Sequence, residues 1–300
     1  AFNQPLANWE RTTGVNGATS TSTLSNVSTM GNMFKNTPFN QPIGNWDISK
    51  VGWLSNMFNQ ANFNQDISGW DTSNVNDMEA MFRYNSVFNQ NIGNWNTSKV
   101  NNIGFMFAGA NNFNNGGSSD ISGWDTSKVR DMRWTFERSK FNQPIHNWDV
   151  SKVTQIDNMF NENIMFNQPI QVWKVGTVQT FSNMFRSANA MNAAYSGTTG
   201  YGNTPTYDFF NKTPITQANI QTAVDAWCTD PTTAEATYGN IKNWDVSAVT
   251  DMYNLFNGKT AFNDDIGDWD VSNVTNMGVM FGDATSFNQD ISGWNVSKVS

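Results

Sequence analysis

The chain carries one histidine, His146, and one cysteine, Cys228, among 300 residues. A nucleophile–histidine triad needs an imidazole beside a positioned nucleophile and carboxylate. His146 instead stands where equivalent segments have Gly44, Ser68 or Gly93, a variable position. Neither a triad nor a histidine-based metal site has adequate ingredients. A single thiol makes no intramolecular disulfide and no cysteine zinc site. It reads as a small buried apolar residue. No glycine-rich phosphate loop of the P-loop or dinucleotide type is present.

Carboxylates are the remaining reactive groups. Asp264, Asp265, Asp268 and Asp270 cluster, but their spacing does not match an EF-hand loop. An aspartate directly after a tryptophan recurs at Asp47, Asp71, Asp125, Asp149, Asp245 and Asp270, each with a serine two residues on. A repeated Asp-x-Ser reads as a turn and helix-start cap, because Asp and Ser bond nearby backbone amides. Calcium, which takes oxygen ligands, is the alternative reading of these carboxylates. No carboxylate pair stands out from this background as a glycosidase pair. The expectation is therefore no catalytic residue, no cofactor and no enzyme.

What must position these groups is a repeat. The pattern F-N-Q-x-I-x-x-W-x-x-S-x-V-x-x-M-x-x-M-F recurs about every 24 to 25 residues, which marks a repeat array. Copies begin at Phe39, Phe63, Phe88, Phe113, Phe141 and Phe166, and the pattern returns at Trp244, Phe262 and Phe287. In one copy, Phe63, Gln65 and Ile67 alternate with polar residues, the period of a half-buried strand. Trp70 then covers a corner. Val75, Met78, Met81 and Phe82 fall on one face of a helix, expected over 75–84. The core is expected to consist of Phe63, Ile67, Trp70, Val75, Met78, Met81 and Phe82. The expected fold is an α/β repeat solenoid, leucine-rich-repeat-like, with one short parallel strand and one short helix per repeat. A lone repeat should not fold, because ordering its backbone outweighs its own burial. An asparagine follows each starting phenylalanine, as at Asn40, Asn64 and Asn89. Stacked amides of this kind read as a ladder along the array.

Three departures interrupt the pattern. Residues 10–24 are rich in Thr, Ser and Gly and read as a surface loop. Asn114-Asn115-Gly116-Gly117 lengthens the stretch from Phe113 to Trp124, and Trp173-Lys174-Val175-Gly176 is degenerate. The domain reading is a repeat block over 1–191, a linker over 192–212, a helical capping segment over 213–239 and a second block over 240–300. In the capping segment, Asp230-Pro231 is a helix start and Gly239 a stop. The chain opens and closes inside repeats, which reads as a segment of a longer array.

The strings FNQDISGWDTSNVNDMEAMF (63–82), FNQPIHNWDVSKVTQIDNMF (141–160) and FNDDIGDWDVSNVTNMGVMF (262–281) resemble the repeat of BspA-like surface proteins. That repeat is a mycoplasma-type repeat of unknown function. The segment ITQANIQTAVDAWCTDPTTAEATYGNIKNWDVSAV (215–249) is similar to the helical lead-in of such blocks. The resemblance covers the chain apart from residues 10–24 and 192–212. It implies a surface-exposed, leucine-rich-repeat-like solenoid with adhesive roles, and no catalytic residues.

The net charge is -8, and basic residues form no run, so nucleic acid is not an expected partner. No apolar stretch approaches the roughly 20 residues that span a bilayer, so membrane insertion is not expected either. Asn-x-Ser/Thr triplets at Asn26, Asn96, Asn211, Asn273 and Asn295 arise largely from the repeat itself. The functional expectation is an extracellular, non-enzymatic protein adhering to a protein, glycan or cell surface. The alternative is a structural subunit of a filament, surface layer or virion appendage, whose partners are copies of itself. Residues departing from the repeat are the candidate binding face: Trp53, Arg83, Tyr84, Arg130, Arg133, Trp134 and Arg138. Trp and Arg are favoured interface anchors.

Overall fold

The computed structural model describes residues 3–4, 6, 24, 26–176 and 180–300. The surface loop expected over 10–24 lies, but for Leu24, outside them. The chain forms two compact units, Ala1–Ser196 with Tyr201–Thr206, and Gly197–Gly200 with Tyr207–Ser300.

The expected α/β solenoid is not what forms. Among the described residues there is no β-strand, and only three short α-helices occur: α1 (Asn189–Tyr195), α2 (Ile220–Thr229) and α3 (Pro231–Tyr238). None falls inside a regular repeat. Over 75–84 the chain makes consecutive β-turns instead of a helix. Met81, Arg83 and Asn85 each donate their N–H to the carbonyl three residues back. Ala80 and Tyr84 hold φ of 53° and 54°, which no right-handed helix admits. The intervening amides of Met78, Ala80, Phe82 and Tyr84 donate to Asn102, Gly104, Met106 and Ala108, 2.7–3.0 Å away on the next coil. Overlapping four-residue turns bring apolar residues to the same i, i+3, i+4 spacing as a helix, so the pattern has two solutions.

The strand expected at Phe63–Ile67 fails for a different reason. Here the coils are joined by side chains. The N–H of Asn64 donates to Asn40 Oδ1, and Asn89 to Asn64, Asn114 to Asn89, Asn142 to Asn114 and Asn167 to Asn142, at 2.8–3.1 Å. The amide ladder therefore exists, running from backbone to side chain. An amide whose donor is taken by an asparagine oxygen has none left for a backbone ladder. Direct parallel pairing is reduced to single-residue bridges, Thr29–Trp53–Asp77–Asn102–Asp131–Gln155.

The core of the first unit is a set of aromatic columns. Phe58 stacks on Phe63, Phe82 on Phe88, Phe107 on Phe113, Phe136 on Phe141 and Phe160 on Phe166, with centroids 3.7–4.0 Å apart. Phe58, Phe82, Phe107, Phe136 and Phe160 also stack along the array at 5.6–5.8 Å. The indole N–H groups of Trp70, Trp95, Trp124, Trp148 and Trp173 donate to the carbonyls of Ile43, Ile67, Ile92, Ile121 and Ile145 on the preceding coil, at 3.0–3.2 Å. Phe63, Ile67, Trp70, Val75, Met78, Met81 and Phe82 are all buried. The lengthened stretch after Phe113 is absorbed by two 3-10 turns, Asn115–Gly117 and Ser119–Gly123. Buried Asn115 accepts the N–H of Ile92 there, which keeps the coils in register.

The second unit repeats this grammar. Trp269 and Trp294 donate to Ile241 and Ile266, and the N–H of Asn288 to Asn263 Oδ1. Helix α3 starts at Asp230, whose Oδ1 accepts from Thr232 and Thr233 N–H, with Pro231 in the first turn. The segment around α2 satisfies the backbone of the first coil. Gln217 Oε1 accepts the N–H groups of Thr250 and Asp251, and its Nε2 donates to the Asp251 carbonyl. Gln221 donates to the Leu255 carbonyl. Trp244 donates to Gly239, where later coils would offer an isoleucine carbonyl.

Candidate functional site

The recurrent polar residues are occupied by the architecture. Asp47, Asp71, Asp125 and Asp149 each accept the N–H of the serine two residues on, at 2.9–3.0 Å. The serine hydroxyl, then its amide, holds each carboxyl below the usual range. These are Asx turns, and no helix follows them in the repeat. Asp264 accepts from the Trp227 indole, Asp265 pairs with Lys242 at 2.8 Å, and Asp270 accepts from Ser272. Among the described residues no group of three His, Cys, Asp or Glu side chains could hold a metal ion.

The departures from the repeat are what remain, and one groove of the first unit gathers four of the seven candidate residues. It encloses about 300 Å³. Its aromatic part is Tyr84, Phe105 and Trp134, with the Phe105 and Trp134 rings stacked at 6.0 Å and 9°. The Arg83 guanidinium lies 4.9 Å from the Tyr84 ring centroid and 5.0 Å from that of Phe105, cation–π geometry for both. Arg138 binds Glu162 through two hydrogen bonds of 2.8 and 3.1 Å and lies 3.3 Å from Glu137. Glu137 is only 4% exposed, and burial pushes its carboxyl upward against the opposing pull of Arg138. The bond from Arg138 holds Glu162 low. Asn161 and Arg186 complete the lining.

The inter-coil hydrogen bonds explain the groove. Through them Tyr84 pairs with Ala108, Gly109 with Glu137, and Arg138 with Asn161. Coil positions that carry Arg83-Tyr84 on one side and Glu137-Arg138 on the other carry Ala108-Gly109 between. The Tyr84 ring leans into the gap. A Cβ added at Gly109 would stand 2.2 Å from its Cδ1, and Gly109 sits at φ +68°.

The other three candidates lie elsewhere. Trp53 is 51% exposed and belongs to the column of bridges. Arg133 is held by both oxygens of Asp131 in that same column, at 2.7–3.1 Å. Arg130 lines a second, basic groove with Lys99, Lys128 and Lys152, beside Asn76 and Asn101. Sequence reasoning did not find Phe105, Glu137, Asn161, Glu162 or Arg186. The available signal was the small pair Ala108-Gly109 between two bulky pairs.

These features define a repeat protein of stacked coils, in which Arg83, Tyr84, Trp134 and Arg138 share one groove along the edge formed by the β-turns. The family described as Mycoplasma protein of unknown function, DUF285, matches residues 10–119, 116–227 and 228–300. The chain belongs to that family. No curated protein and no solved structure matches it.

Proposed function

We propose that this chain is a non-catalytic binding scaffold, displayed outside the cell, that adheres to a protein or glycan through its turn edge. One observation carries the reading. The recurrent Asn, Asp, Ser and Trp side chains are consumed by ladders and turns, while the irregular residues Arg83, Tyr84, Trp134 and Arg138 converge on one groove. A surface whose polar groups are already paired offers little to a reaction, and rigid aromatic and Arg side chains on an ordered frame suit recognition. The likeness of its repeats to those of BspA-like surface proteins supports display at a surface.

The test is to probe the full chain against immobilised glycans and cell-surface proteins, alongside a Tyr84→Ala/Trp134→Ala variant. The reading expects binding to at least one class, lost in the variant without loss of fold. No binding across the panel, or binding untouched by the variant, would remove it. Concentration-dependent polymers without other binding would favour the structural-subunit alternative.

A further inference from the structure

Lys99, Lys128, Arg130 and Lys152, scattered in sequence, line one groove of about 380 Å³ in the first unit. The N–H groups of Asn76, Asn101, Arg130 and Thr154 donate to the carbonyls of Gly52, Asn76, Asn101 and Arg130, at 2.8–2.9 Å. These bonds hold the coils in register, so the three lysines occupy the same position on consecutive coils. Backbones paired in this way lie about 4.8 Å apart. Arg130 stands beside the lysine row, where other coils carry Gly52, Asn76, Asn101 or Thr154. In the second unit the lysine position holds Ala248, Asn273 and Lys298, and the arginine position Thr250, Thr275 and Ser300. The basic groove is therefore a property of one stretch of the first unit, not of the repeat.

All four cations are exposed, and among the described residues none of them makes an ion pair. Lys99 bonds the neutral Asn74 at 2.6 Å. Asp71, Asp125 and Asp149 feel the lysines from beyond ion-pair distance, and each already accepts from its own serine. Elsewhere Arg133, Arg138, Lys242 and Lys259 are all paired with acids. In a chain of net charge -8, this groove is where unpaired positive charge gathers and draws an anion.

One exposed cation holds one anion only weakly. A row of them favours a ligand whose charges repeat, because linked contacts reinforce one another. No aromatic ring lines the groove, whereas single-stranded nucleic acid is held by stacking on rings. No apolar side chain lines it either, unlike the core of a protein interface. The remaining lining residues are Asn76 and Asn101. The Asn101 amide and Asn76 Oδ1 make no hydrogen bond among the described residues. Such amides match hydroxyls, which both donate and accept. A chain of sugar rings with one acidic group per ring, laid across the coils, supplies both.

We propose that this groove binds a linear acidic polysaccharide, with Lys99, Lys128, Arg130 and Lys152 on its carboxylates and Asn76 and Asn101 on its hydroxyls. The site is separate from the aromatic groove and stands without the turn-edge reading.

The experiment titrates the full chain with galacturonic acid, its trimer and its hexamer, and with neutral maltohexaose, by calorimetry at low and high salt. Polyglutamate and oligothymidylate of matched charge are run beside them. The hexamer should bind at least about 100-fold more tightly than the monomer, the gain expected of linked contacts. Its binding should weaken as salt rises, and maltohexaose should not bind. Lys128→Asn, Arg130→Thr and Lys152→Asn, each the residue of an equivalent coil, should each weaken the hexamer about two- to fivefold, the reach of one exposed ion pair. Together they should weaken it at least about tenfold with melting unchanged. Lys50→Asn, at the same position outside the groove, and Tyr84→Ala/Trp134→Ala should leave it unchanged. Failure of the hexamer to bind, or an equal loss in Lys50→Asn and in the groove variants, overturns the proposal. Polyglutamate or oligothymidylate binding the groove as tightly as the hexamer also overturns it.

Discussion

The indole N–H of Trp70 donates to the carbonyl of Ile43, 3.0 Å away on the preceding coil. Its ring stacks on Trp95 at 6.3 Å. Trp70 thus joins three coils and satisfies a buried acceptor. Trp70→Ala should cost about 3–5 kcal/mol, the usual loss for a large buried aromatic. Trp70→Phe, which keeps a ring and leaves the Ile43 carbonyl only the Trp46 N–H, should lose about 0.5–1.5 kcal/mol, the net worth of one hydrogen bond. Chemical denaturation of both variants measures this ordering.

Gly109 is required by the ring above it. Gly109→Ala places a methyl 2.2 Å from Tyr84 Cδ1 at a φ of +68°. The ring must swing away and the backbone is strained, together costing about 1–3 kcal/mol. Gly123, where an added Cβ meets nothing within 4 Å, is the control. Gly123→Ala should leave melting nearly unchanged.

The asparagine ladder makes a prediction about hydrogen exchange. Asn64 Oδ1 accepts from the N–H of Asn89 and from Gln90 Nε2, both at 3.0 Å. Asn64→Ala should sharply raise exchange at the Asn89 amide while leaving Tyr84, whose N–H goes to the Ala108 carbonyl, protected. Asn64→Asp retains an acceptor and should spare Asn89. Equal loss at both amides would mean the turn column depends on the ladder.

Glu137 sets a pH signature. Its carboxyl is raised above the ordinary 4.5 by burial. Between the unfolded and folded values the native state binds more protons, so stability contributed by the neutral form is lost as pH rises through the folded value. The stability of Glu137→Gln relative to the parent protein should therefore grow from about pH 4 towards pH 7. Melting curves of both proteins across that range read the difference, in which the opposite acid sensitivity of the Asx-turn aspartates cancels.

The repeat was legible because phenylalanine, tryptophan and asparagine recur at fixed offsets. Secondary structure was not, because its determinants lie between coils. Met78, Met81 and Phe82 fit a helix face and a pair of turns equally well. The residues at positive φ include Ala80, Phe105, Trp134 and Val279, none of them a turn former. Their conformation is imposed by hydrogen bonds to the next coil, as from Phe105 to Arg133 and Trp134 to Asp157. The strand signal at Phe63–Ile67 was an alternation in sequence only: Phe63 and Ile67 are buried, but Gln65 is half-buried like Asn64, and pairing passed to side chains. For the site, Arg and Trp composition found Arg83, Tyr84, Trp134 and Arg138. Glu137 and Asn161 were hidden because ordinary polar residues gain meaning only from burial.

The central claim is that consensus residues build the stack and departures from consensus build the site. The direct measurement replaces Arg83, Tyr84 and Trp134 with the residues of equivalent positions, Asn59, Gln60 and Asn158. The combined Arg83→Asn, Tyr84→Gln and Trp134→Asn protein is then melted and probed on the same ligand panel. It should melt within about 2–4 °C of the parent, a change of about 1 kcal/mol, and lose the ligand. A protein that unfolds far earlier, or one that keeps its ligand, would contradict the claim.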